Sequence, residues 1–164
     1  MGHEVLSNVE FIHPNDTAII EEQSDYSAYA RSNYRDRSKL KFLPGLEPTV
    51  FVIKQLSHRQ KLQRSMYELG FQREEYTVRC GLVRVRGFAG GLPDMVKVKE
   101  GDSGMIIGRQ WMDDANLGEL VITGCAQAIF KISELSLTPP LSELCDTQPG
   151  PTESQSPAEE NSAK

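Results

Sequence analysis

Asn116–Ser136, NLGELVITGCAQAIFKISELS, is the stretch whose reading decides the fold. Leu117, Val121, Gly124, Ala128, Ile132 and Leu135 recur at steps of three and four residues. That period lines one face of a helix, so this stretch reads as the long amphipathic helix of the chain. Asp113, Asp114 or Asn116 is placed to cap its start, and Glu119 falls in the first turn, where the helix dipole favours an acid. Gly124, Cys125, Ala126 and Ala128 are small and let another element approach the middle of the helix closely. Val121 and Ile132 are expected in the core. Ile129 lies about 100° round from Ala128, and Phe130 further still. One helix rarely buries that whole width against its own domain, so Ile129 and Phe130 are candidates for contact with a partner or a second copy.

Upstream, Thr49–Leu56 (TVFVIKQL) is β-branched and aromatic and reads as a strand. Ser57 and Gln60 then form an S-x-x-Q capping box at the start of a helix. Leu62, Met66 and Leu69 give that helix an apolar stripe, and Gly70 supplies a stop. Residues 71–86 support two readings. Val83 and Val85 alternate with Arg84 and Arg86 as in a strand, but Phe71, Val78, Leu82 and Val85 fall at helical steps. The favoured reading is a helix over about 72–85, with Gly81 costing roughly 1 kcal/mol relative to Ala. Val9–Glu21 suggests a short hairpin around His13-Pro14-Asn15-Asp16, Leu43–Pro48 a turn, Gly87–Asp94 a loop and Met95–Lys99 a short strand.

Charge is unevenly spread. The net value is -5, yet residues 31–86 hold thirteen bases against five acids, while residues 1–30 hold six acids and no Lys or Arg. A basic middle between acidic ends suits self-association or one acidic partner. Over Ser24–Lys41, Tyr26, Tyr29 and Tyr34 are set among Arg31, Arg35, Arg37, Lys39 and Lys41. Such interleaving can stack bases and hold phosphates. It equally suits an arm whose tyrosines pack on the body or grip a neighbouring subunit, which makes Tyr29, Arg31, Tyr34 and Arg35 candidate contact residues. Nucleic acid is the less expected partner, given the overall acidity.

No constellation carries chemistry. Gly101-Asp102-Ser103-Gly104 resembles the nucleophile signature of chymotrypsin-like proteases, but Met105 and Ile106 replace its Gly and Pro, and the chain is too short for paired barrels. Gly87, Gly90 and Gly91 lack the Gly-Lys-Ser/Thr of a P-loop. His3, His13 and His58 are scattered, without metal-ligand spacing. Catalytic residues, metal and cofactor are therefore all expected to be none. Cys80, Cys125 and Cys145 are far apart and odd in number, which favours a reducing cytosol over a disulfide framework. No apolar run approaches 18 residues, and no secretory signal pattern opens the chain.

The order of elements has a parallel. A strand ends in Leu56-Ser57-x-Arg59, a helix follows, then Glu75-x-x-Val78-Arg79-x-Gly81-Leu82-Val83, a Gly87-Phe88 loop, a short strand, and a helix ending Ile129-x-x-Ile132-Ser133-x-Leu135-Ser136. Over about residues 49–138 this layout resembles small assembly or structural proteins of tailed bacteriophages, especially tail assembly chaperones. The resemblance implies a non-enzymatic helper in the host cell cytoplasm that binds a helical tape-measure protein, shields its apolar surface and often self-associates. It also implies a helix over residues 73–83. The Tyr/Arg segment has no counterpart in that layout, and Pro139-Pro140 ends the last helix early, which leaves a virion structural protein as the alternative and a nucleic-acid-binding module as the second.

The fold expected is α+β: one domain over 1–138, with a small N-terminal β portion and three or more helices in the C-terminal half. Residues 139–164 hold five of the nine prolines and a single base against five acids. That composition predicts a disordered acidic tail.

Overall fold

The computed structural model describes residues 8–134. The tail 139–164, the end of the long helix at Leu135 and Ser136, His3 and Cys145 lie outside the described residues. The architecture is α+β. A three-stranded antiparallel sheet has the order β1 (Val9–Phe11), β2 (Val50–Ile53), β3 (Leu82–Arg86), and β4 (Lys97–Lys99) pairs with β5 (Met105–Ile107) in a separate ribbon. Helices α1 (Tyr26–Arg31), α2 (His58–Ser65), α3 (Gly70–Gly81), α4 (Arg109–Ala115) and α5 (Glu119–Ser133) complete it.

Strand β2 is the centre of the larger sheet, and all four of its residues are buried. Burial on both faces explains its continuous apolar run in place of alternation. Phe51 and Ile53 face the main core with Val78, Leu82, Ile129 and Ile132, while Val50 and Val52 face a smaller one around Ile12, Tyr29 and Leu40.

The hairpin expected over Val9–Glu21 does not form. The turn is there, with Asp16 N donating to His13 O at 3.0 Å. Strand β1, however, pairs with β2, Glu10 opposite Val52, and Ile19 bridges to Phe42 instead. The Asp16 carboxylate decides this locally: it accepts from Thr49 N at 2.8 Å and Ala18 N at 2.9 Å, tying the turn to the start of β2.

The capping box at Ser57 and Gln60 forms as read, with both reciprocal hydrogen bonds. Gly70 does not stop that helix; it opens the next. Helix α2 ends at Ser65, and Arg73 donates from Nη1 to Tyr67 O at 2.6 Å, holding the turn into α3. The two readings of 71–86 each hold for one half. Helix α3 runs to Gly81, and Leu82–Arg86 is a strand with the Val/Arg alternation, paired to β2.

The long helix begins later than its caps suggested. Asp113 and Asp114 lie inside the separate helix α4, and Asn116, with φ 51°, is the left-handed residue that ends it. Helix α5 packs chiefly on α3 and β2. A Cβ on Gly124 would lie 2.5 Å from Cδ2 of His13, so the small residues do admit a neighbour closely. Val121 is only partly buried, whereas Ile132 is core, 2 % exposed.

Tyr29 is a structural bolt. Its hydroxyl donates to Glu10 O at 2.8 Å and accepts from Ile12 N at 3.1 Å. Tyr29→Phe is expected to cost about 1–3 kcal/mol, because the buried Ile12 N–H loses its partner. Burial pushes the Tyr29 phenol up to about 12, and it raises Tyr26 and Tyr76 as well. Unfolded, these phenols ionise near about 10. Above that pH the folded state holds more protons than the unfolded one, so stability is complete below pH about 10 and falls as pH rises. Urea melts between pH about 8 and 11 check this; a flat profile would show the phenols to be solvated.

Candidate functional site

Helix α2, HRQKLQRS, contains no acid. Its bases hold it to the body from several sides. Arg59 pairs with Asp102 at 3.1 Å, Lys61 Nζ donates to Ser133 O at 3.2 Å, and Arg64 Nε donates to Thr77 Oγ1 at 2.8 Å. The buried residue of the helix is Gln60, whose Nε2 donates to Ser103 O at 2.8 Å.

Polar anchoring leaves the apolar stripe outside. Leu62 is 52 % exposed, Met66 72 %, Leu69 51 % and Phe71 66 %. The apolar stripe read at Leu62, Met66 and Leu69 thus faces water. These residues occupy one helix–turn–helix, from the middle of α2 to the first turn of α3. Phe130 extends the surface from α5. It is 37 % exposed, and the Arg64 guanidinium carbon lies 4.1 Å from its ring centroid, a cation–π contact that joins it to α2. Arg59, Lys61, Arg64 and Arg73 surround these side chains in sequence, against Glu68 alone between residues 57 and 73.

The residues singled out from sequence separate. Phe130 is at the surface, as expected. Ile129 is not: it is completely buried in the main core, because α5 turns that side toward Gly81 of α3. Tyr29 is also completely buried and cannot stack a base. Tyr34 is half-buried, its ring edge-on to Phe11 at 5.0 Å and Tyr29 at 5.5 Å, with Lys131 Nζ 5.1 Å from its centroid. Arg31 and Arg35 are exposed. The Tyr/Arg segment therefore spends its aromatic rings on the fold and keeps only its charges outside. Leu62, Met66, Leu69 and Phe71 were not read as surface, although the bases interleaved with them were the available signal that water reaches this helix.

Gly101–Gly104 forms the turn of the β4–β5 hairpin. Ser103 Oγ is hydrogen-bonded to the Tyr76 hydroxyl at 2.5 Å. The ring of His13 is held by Leu120 O and Asn15 N, both at 3.0 Å. Cys80 and Cys125 are buried free thiols, and burial pushes the Cys80 thiol up to about 11. Both are packing groups in this setting. Among the described residues, no three of His, Cys, Asp and Glu cluster so as to hold a metal ion, and no helix is long and apolar enough to cross a membrane. Comparison with protein-family models, with curated proteins and with solved structures finds no match.

Proposed function

We propose that the protein acts by holding another protein, as an assembly factor of the phage tail assembly chaperone type, and not as an enzyme. The observation that carries this reading is the exposure of Leu62, Met66, Leu69 and Phe71 in a single helix–turn–helix. Scattered exposed apolar residues need no explanation, but several in one ten-residue stretch, set among charges, are typical of a contact surface. Leu62 and Met66 stand one helical turn apart, the spacing by which helices engage each other. The excess of bases favours a partner face that is apolar with acids around it. The order of strand, paired helices, strand and long helix supports the finer reading, a helical tape-measure-type partner met in the host cell cytoplasm.

Co-expression with a long helical polypeptide of the tape-measure type tests it. The polypeptide is expected to stay soluble only with the intact chain. Leu62→Asp with Phe71→Asp should abolish this protection while changing stability by under about 1 kcal/mol, because both side chains already face water. Retained protection in that variant, or its unfolding, sinks the reading. Recovery of the protein in purified particles would make it a virion component instead.

A further inference from the structure

Strand β4 has β5 on one side and, among the described residues, no strand on the other. Gly108 N donates to Val96 O and Glu100 N to Gly104 O, both at 2.9 Å. Val96, Val98 and Glu100 therefore turn their backbone toward β5, and antiparallel alternation directs the N–H and C=O of Lys97 and Lys99 outward. Two strands with an open edge form an incomplete sheet.

The side chains sort by face. Val96 and Val98, 57 % and 39 % exposed, lie along a groove of about 290 Å³ that also includes Pro93, Gly108 and Trp111. Lys97 and Lys99 project to the opposite face and pair with no acid among the described residues. Partial desolvation, and then the nearby charge of Lys54, holds the Lys97 ammonium below the ordinary lysine range. The charge of an incoming carboxylate offsets both.

We propose that β4 accepts a third strand from a partner protein, an extended segment in which acidic side chains alternate with apolar ones. Its backbone bonds Lys97 and Lys99, its carboxylates meet the two lysines on one face, and its apolar side chains cover Val96 and Val98 on the other. A second copy of the chain fits poorly, because pairing two β4 edges sets lysine against lysine. Lysines on a free edge also discourage indiscriminate pairing. The same charge that repels a basic strand selects an acidic one. The residues involved are not those of the α2–α3 turn, and this edge is independent of the function proposed for that turn.

Trp111 is the sole tryptophan and lines the groove, so its emission reports occupancy. The full chain is titrated with a short peptide alternating Glu and Val. A saturable change in Trp111 emission is expected, with slowed hydrogen exchange at the Lys97 and Lys99 amides and weaker binding as salt rises. A Lys–Val peptide, and a Glu–Val peptide N-methylated along its bonding edge, should not bind. Lys97→Glu with Lys99→Glu should weaken the Glu–Val peptide by about ten-fold, the scale of two exposed charge contacts, and admit the Lys–Val peptide. Failure to saturate at about millimolar peptide, equal binding of both peptides, or an emission change without protection of those amides overturns the proposal. Protection of the same amides in a peptide-free dimer overturns it in favour of a second copy.

Discussion

Ile129→Ala is expected to lower the unfolding free energy by about 2–5 kcal/mol, while Phe130→Ala, one residue on, costs about 1 kcal/mol or less. Ile129 is completely buried between α5 and α3, so truncation leaves a cavity in the middle of the core. Phe130 is 37 % exposed, and its ring meets the Arg64 guanidinium. Gly81 supplies an internal control. A Cβ there would stand 2.6 Å from Cγ2 of Ile129 and 2.8 Å from Cδ1. Gly81→Ala alone should destabilise by about 1–3 kcal/mol through overpacking, less roughly 1 kcal/mol regained from helix propensity. Combined with Ile129→Ala, the new methyl enters the space just emptied. The double variant should therefore cost less than the two single changes together. Urea melts of the four proteins measure this, and additive losses would show that α3 and α5 do not meet at this point.

Glu100→Ala is expected to be more damaging than Arg79→Met, although it removes the more exposed partner of the pair. The Arg79 side chain is 2 % exposed and that of Glu100 is 37 %. Arg79 Nε donates to Ile107 O at 2.7 Å, and Nη2 meets Glu100 Oε1 at 2.5 Å. Without the carboxylate, a guanidinium remains buried and uncompensated, which typically costs about 3–5 kcal/mol. Without the guanidinium, Glu100 can turn to water, and the main loss is the hydrogen bond at Ile107 O, about 1–3 kcal/mol. Arg79→Met with Glu100→Ala should recover much of the loss from Glu100→Ala alone. Chemical denaturation of the cycle checks the order. Equal small losses from either change would mean that water reaches Arg79. The pair joins α3 to the β4–β5 hairpin, so hydrogen exchange in that ribbon should quicken in Glu100→Ala before the rest of the fold opens.

The surfaces proposed for function stand at opposite ends of legibility. Leu62, Met66 and Leu69 have the spacing of a buried helical stripe, and spacing alone cannot tell core from interface: both want one apolar face. What turns this face outward is the anchoring of α2 by Gln60, Lys61 and Arg64, whose partners Ser103, Ser133 and Thr77 lie 43, 72 and 13 residues away. The β4 edge was legible as a strand, because Met95–Lys99 alternates. That it is an edge depends on which other strands lie beside it, and no local pattern contains that.

Local chemistry was decisive wherever one short-range interaction set the backbone. The capping box at Ser57 and Gln60 is complete within four residues, and it formed as read. The β-branched run at 50–53 became the central strand, and of the stripe read from Leu117 to Ile132 the later part, Ala128 and Ile132, lies on the packed face of α5, while Val121 and Gly124 are only half-buried. The α+β class follows from these local periods. Tertiary structure decided the remainder. Phe71–Arg86 carried helical and strand periods at once, and competition ended at Gly81, where Ile129 leaves no room for a side chain and Leu82 continues into pairing with Ile53. The Val9–Phe11 strand left its own turn for β2, because a strand buried on both faces needs a neighbour on each edge. Ile129 and Tyr29 went inside rather than to a partner for the same reason: which side of a helix counts as its surface depends on how many elements pack around it, and only the assembled core contains that information.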